Sequence, residues 1–138
     1  MNRKTIIILV GIMLVLGTAL GLVASTLRPG PVHHDSPGPA IEPPSELTIT
    51  IKLIISFVNI FLISSLLIIY LDIFRSVKSR FTIGLVVITV ALLVYAVTSN
   101  PIVQMALGYP ISGPGPFLFI PDIFTALAAG VLIYLSIE

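Results

Sequence analysis

A chain of 138 residues that is 57% hydrophobic and only 9% charged cannot cover itself with a water-compatible surface, since soluble proteins carry about 25% charged residues. The formal net charge of +1 and the lack of any run of Lys and Arg exclude nucleic acid as a partner class. Cysteine is absent, which excludes disulfides, iron–sulfur clusters, thiolate zinc sites and cysteine nucleophiles together.

The first apolar stretch, residues 5–27, carries no charge and is long enough at about 1.5 Å per residue to cross a hydrocarbon core of roughly 30 Å. Arg3 and Lys4 before it also fit the start of a secretory signal. The apolar part is too long for that, however, and Leu22 stands where a cut after Ala24 wants a small residue. An uncleaved helix is therefore expected. Within it Gly17 and Gly21 form a Gly-x-x-x-Gly pair, extended by Ser25, that suits close approach to a neighbouring helix.

Residues 28–46 follow, with six prolines between Pro29 and Pro44 and two glycines. That density forbids helix and predicts an extended linker. His33, His34 and Asp35 stand together in it. Imidazole and carboxylate are suitable ligands for copper or zinc, yet two adjacent His in a linker are poorly preorganised, and no metal or other cofactor is expected.

A second span is expected over residues 47–71. Lys52, Ser56, Asn59 and Ile63 follow one another at spacings of four, three and four, which places them on one helical face. Residues 72–80 predict a basic turn holding Arg75, Lys78 and Arg80, joining span two to an antiparallel span three over 81–98. The outer loop, 99–120, has no charged residue. Asn100 and Pro101 there resemble a helix cap followed by a first-turn proline, with Gly108 as a stop, so a short interfacial helix is expected.

The fourth span runs over 117–137, its continuous helix starting near Pro121. Asp122 opens it, and a charge at mid-bilayer costs about 2.5–3.5 kcal/mol, so it needs water, a capping role or a partner. Helical spacing puts Asp122, Ala126, Ala129, Gly130 and Ile133 together, a face whose small residues suit helix contact. Lys52 and Asp122 fall at one membrane level in this topology and are expected to pair.

Translocated loops are poor in Lys and Arg. With both termini cytoplasmic, Arg3, Lys4, Arg75, Lys78 and Arg80 lie inside and only Arg28 and Lys52 outside. The expected fold is thus an all-α membrane protein: a four-transmembrane-helix bundle in a single membrane domain, with a Pro-rich extracytoplasmic linker. Lacking Trp, it must draw any interfacial aromatic belt from Phe and from Tyr70, Tyr95, Tyr109 and Tyr134.

Neither His lies near a Ser and Asp placed for a nucleophilic triad, and no phosphate loop, dinucleotide fingerprint or His-Glu-x-x-His motif occurs. The expected role is therefore non-enzymatic. A small membrane protein of this kind acts through helix association, with the bilayer and other membrane subunits or copies of itself as partners. The runner-up is an oligomeric channel or transporter with a polar path through Asp122, Lys52, Asn59 and Gln104. A third reading is a membrane sensor whose linker meets a ligand and whose basic turn meets a partner.

Two stretches carry a resemblance: Tyr70-Leu71-Asp72-Ile73-Phe74-Arg75 with Ser79-Arg80-Phe81, and Pro121-Asp122-Ile123-Phe124 running to Tyr134-Leu135-Ser136-Ile137-Glu138. The chain resembles, over roughly its last half, small multi-pass membrane proteins of archaea for which no activity is established. The resemblance implies that the hairpin and the final helix form one module.

Overall fold

A computed structural model describes residues 2–27, 45–108 and 120–137, and the described chain is helical throughout. Five helices follow in order: α1 (Arg3–Leu27), α2 (Glu46–Val77), α3 (Arg80–Thr98), α4 (Pro101–Ala106) and α5 (Ile120–Ile137). The proline linker lies almost wholly outside the described residues, as do His33, His34, Asp35 and Tyr109.

Local chemistry sets the helix ends. Ser45 caps α2, its side chain accepting from the Thr48 amide at 3.3 Å, and Glu46 adds an acid in the first turn, where the helix dipole favours it. Asn100 caps α4 through Oδ1, which accepts from the Ile102 amide at 2.9 Å, and Pro101 fills the first turn. Gly108, at φ 79°, follows that helix, a backbone conformation open to glycine at little cost.

The connection expected over 72–80 is far shorter in the structure. Helix α2 continues through Asp72 and Arg75 to Val77, and Ser79 already caps α3 by accepting from the Phe81 amide at 3.2 Å. Only Lys78 and Ser79 join the two helices. Lys78 turns the chain in a left-handed conformation, φ 48°, its amide donating to the Phe74 carbonyl at 2.9 Å. Arg75 and Arg80 accordingly sit on helical turns flanking the link.

Helix α2 is the hub, packed against α1, α3, α5 and, more lightly, α4. At 32 residues it is about 48 Å long. Its lower half supplies Ile63, Leu66, Ile69 and Tyr70 to a core completed by Ile6 of α1, Ala96 of α3, and Ala129 and Ile133 of α5. Tyr70 is thus inside the bundle rather than in an interfacial belt, whereas Tyr95 and Tyr134 are exposed.

The outward faces are largely apolar: Ile8, Val15 and Val23 on α1, Val87 and Val94 on α3, Phe124, Leu127 and Val131 on α5 are all exposed. Exposed apolar rows of this extent suit lipid rather than water as surroundings. Hydroxyls on the helices are hidden by bonding to carbonyls three or four residues back, as with Thr18 to Val15, Ser64 to Ile60, Thr89 to Leu85 and Ser136 to Leu132. Helices α1, α2 and α3 are each long and apolar enough to cross a membrane, while the apolar described stretch of α5, Ile120–Tyr134, is shorter.

Candidate functional site

Ser65, Thr82 and Thr89 are buried singly along α2 and α3, but the charged and amide side chains that face inward collect where the end of α3 and the start of α5 meet the upper half of α2. Because Lys52, Ser56, Asn59 and Ile63 recur at helical spacing, α2 turns all four into the bundle: Lys52 is 6% exposed and the other three 1% each. Asp122, in the first turn of α5, is 2% exposed.

Two bonds tie these groups across helices. Asn59 Nδ2 donates to the Asp122 backbone carbonyl at 2.7 Å, and Ser99 Oγ, just past the end of α3, donates to Asp122 Oδ1 at 3.3 Å. Lys52 lies within electrostatic reach of Asp122, as does the Tyr95 hydroxyl of α3. Ser56 Oγ, Asn59 Oδ1 and Asp122 Oδ2 are buried without a hydrogen-bond partner among the described residues. Each buried group left unmatched costs about 1–3 kcal/mol, so the cluster is held by the packing around it as well as by its own bonds.

The structure therefore brings together Lys52, Ser56, Asn59 and Asp122. It adds Ser99, which sequence reasoning missed; the available signal was its place immediately before the Asn100-Pro101 cap, where α3 ends beside the incoming α5. Gln104 does not join the cluster: its Nε2 donates to the Thr98 carbonyl at 3.4 Å. Below Asn59 the inward face of α2 becomes Ile63 and Leu66, both 1% exposed, and the polar row ends.

The other residues read as helix-packing positions divide. Gly17 and Gly21 are buried against α2: a Cβ on Gly17 would stand 3.0 Å from Val58 Cα, and one on Gly21 2.8 Å from Ile54 Cα. Ala126 is half-buried. Gly130 is a correction, since it is exposed and a Cβ there would meet nothing within 4 Å. At about 100° per residue, Ala129 and Ile133 fall within about 20° of Asp122 around α5, Ala126 at about 40° and Gly130 at about 80°. The last has turned out of the contact.

Among the described residues no group of three His, Cys, Asp or Glu is placed to hold a metal ion, and the His33, His34, Asp35 trio lies outside them. An open groove of about 580 Å³ between the upper ends of α1, α2 and α4 is lined by apolar side chains, including Leu20, Leu27, Phe57 and Met105.

Long helices with largely apolar outer faces define the class: an all-helical protein whose long apolar helices are compatible with a membrane. A model of DUF8036, a family of unknown function, matches residues 48–137, and the chain belongs to that family. No curated protein and no solved structure matches the chain. The family match takes in the whole polar cluster and leaves α1 outside.

Proposed function

We propose that the chain is a small, non-enzymatic integral membrane protein that acts by helix association, as an accessory or structural subunit of a membrane complex or as a homo-oligomer. In this reading α1, α2, α3 and α5 cross the bilayer as a four-helix bundle, with the proline linker and α4 on the outer side and both termini cytoplasmic. The observation that carries it is the division of surface. The inward polar groups of Asn59, Ser99 and Asp122 are spent on contacts between helices, while the exterior is dominated by exposed apolar side chains available to lipid or to another helix. Copurification from native membranes in mild detergent tests it: a stable partner or a defined oligomer is expected. A chain that always migrates as a lone monomer would sink it.

A second reading, an oligomeric channel or transporter using Lys52, Asn59 and Asp122, draws support from the three buried oxygens that have no hydrogen-bond partner among the described residues. It requires the path to leave the bundle at Asn59, because Ile63 and Leu66 close the interior below. Ion flux into liposomes carrying the wild type, abolished by Asp122→Asn, would favour it. Under the association reading the same variant conducts nothing, like the wild type, and weakens only the join between α5 and its neighbours.

A further inference from the structure

Five of the seven Lys and Arg residues of the sequence gather at one end of the molecule. The seam between α1 and α2 sets this. Gly17 lies opposite Val58 and Gly21 opposite Ile54, so each step up α1 is a step down α2, and Arg3 and Lys4 come level with Leu71 and Asp72, within a turn of Arg75. The position of Ile6 in the same core as Ile69 and Tyr70 agrees with that register. Lys78 forms the link to α3, and Arg80 is the first residue of α3. All five are exposed. Among the described residues of this end the acid is Asp72.

Helices α1 and α3 both begin at this end, and neither has an acid in its first turn. Helix N-termini carry partial positive charge and favour anions, so Arg3, Lys4 and Arg80 reinforce a field that the helices already make. The source of the matching anion is indicated by what lies between the cations. Val77 is 62% exposed and Phe81 74% exposed, interleaved with Arg75, Lys78 and Arg80. Such an alternation fits the boundary between acyl chains and phosphate headgroups, where apolar side chains dip into hydrocarbon while Arg and Lys reach the phosphodiesters. A free phosphate would have no use for the apolar pair.

We propose that this end, formed by Arg3, Lys4, Arg75, Lys78 and Arg80, is a binding surface for the headgroups of anionic phospholipids. The proposal rests on the spanning reading above. To test it, the full chain is reconstituted into vesicles of phosphatidylcholine with and without phosphatidylglycerol, extracted in mild detergent, and its retained lipid measured by native mass spectrometry. Selective retention of phosphatidylglycerol is expected. Each cation removed should lower the preference about fivefold at low salt, so an Arg75→Gln, Lys78→Gln, Arg80→Gln variant should lose about two orders of magnitude while still inserting into phosphatidylcholine vesicles. Soluble glycerol phosphate should not compete. Equal retention by wild type and variant overturns the proposal, and so does effective competition by glycerol phosphate, which would mark a soluble-anion site. A wild type that inserts but shows no lipid preference overturns this inference alone. One that does not insert even into phosphatidylcholine overturns the spanning reading as well.

Discussion

The two seams of α2 are built on different physics. Toward α1 it packs onto bare backbone: Gly17 and Gly21 of α1 admit Val58 and Ile54 so closely that an added Cβ would stand 3.0 and 2.8 Å from their Cα atoms. Against α5 it offers a directed polar group, Asn59, which reaches the first turn, where Ser99 at the end of α3 also meets the Asp122 carboxyl. In lipid the hydrophobic effect gives helices little reason to associate, which leaves close packing and interhelical hydrogen bonds as the two means. This chain uses one on each side of the same helix. The glycine seam tolerates changes of chemistry but none of size, and the polar seam the reverse.

Gly21→Leu should have the largest effect. Its side chain begins 2.8 Å from the Ile54 backbone, which cannot yield as a flexible side chain would, and α2 is the principal neighbour of α1. A cost of about 3 kcal/mol or more, the upper end for overpacking, should appear in unfolding by denaturing detergent, with α1 released and the polar seam intact. Unchanged stability would show that α1 packs elsewhere.

The polar seam is tested by two variants of one residue. Asn59→Asp keeps the shape but loses the donor to the Asp122 carbonyl and sets a second acid beside Asp122. A cost of about 2 kcal/mol is expected, below the roughly 2.5–3.5 kcal/mol of a charge at the bilayer centre, because the cluster lies toward the upper ends of α3 and α5. Asn59→Leu should cost less, about 1 kcal/mol, since it loses the hydrogen bond but also removes the unmatched Asn59 Oδ1. If the leucine variant proves the worse of the two in the same unfolding assay, size rather than polarity governs this seam and the contrast with α1 collapses.

Much of this arrangement is legible in periodicity. The 4-3-4 spacing from Lys52 to Ile63 marks the face that the structure buries, and Asn100-Pro101 marks the start of α4 because cap and first-turn chemistry are local. The end of α2 was not legible. Hydropathy falls at Asp72, yet a falling hydropathy reports only that the helix leaves an apolar environment, not that its hydrogen bonding stops. The stop is made by Lys78 at φ 48°, and Lys is not a residue type that advertises a left-handed turn as Gly or Asn does. Ser99 escaped for another reason: its partner Asp122 lies 23 residues on, across a segment whose path no local rule fixes. Gly130 shares the small-residue spacing of the Asp122 face, yet its angle of about 80° from Asp122 is enough to turn it outward.

That last position sharpens the comparison with the smallest expected effect and the opposite sign. Gly130 and Gly21 are both helical glycines, but only Gly21 has a backbone against it. Replacing Gly130 by Ala removes the conformational freedom that glycine must surrender in a helix and should stabilise the isolated chain by about 0.5 kcal/mol, whereas Gly21→Ala should destabilise it. The same substitution also probes the association proposal, because an exposed glycine flanked by the half-buried Ala126 and the exposed Ile123 and Leu127 would admit a further helix as Gly17 admits α2. A variant that is more stable alone yet loses its partner on copurification would place that partner on the outer face of α5. One that keeps its partner would direct the search to the outer faces of α1 and α3, where Gly11 and Gly84 are likewise exposed with nothing within 4 Å of an added Cβ and offer the same close approach.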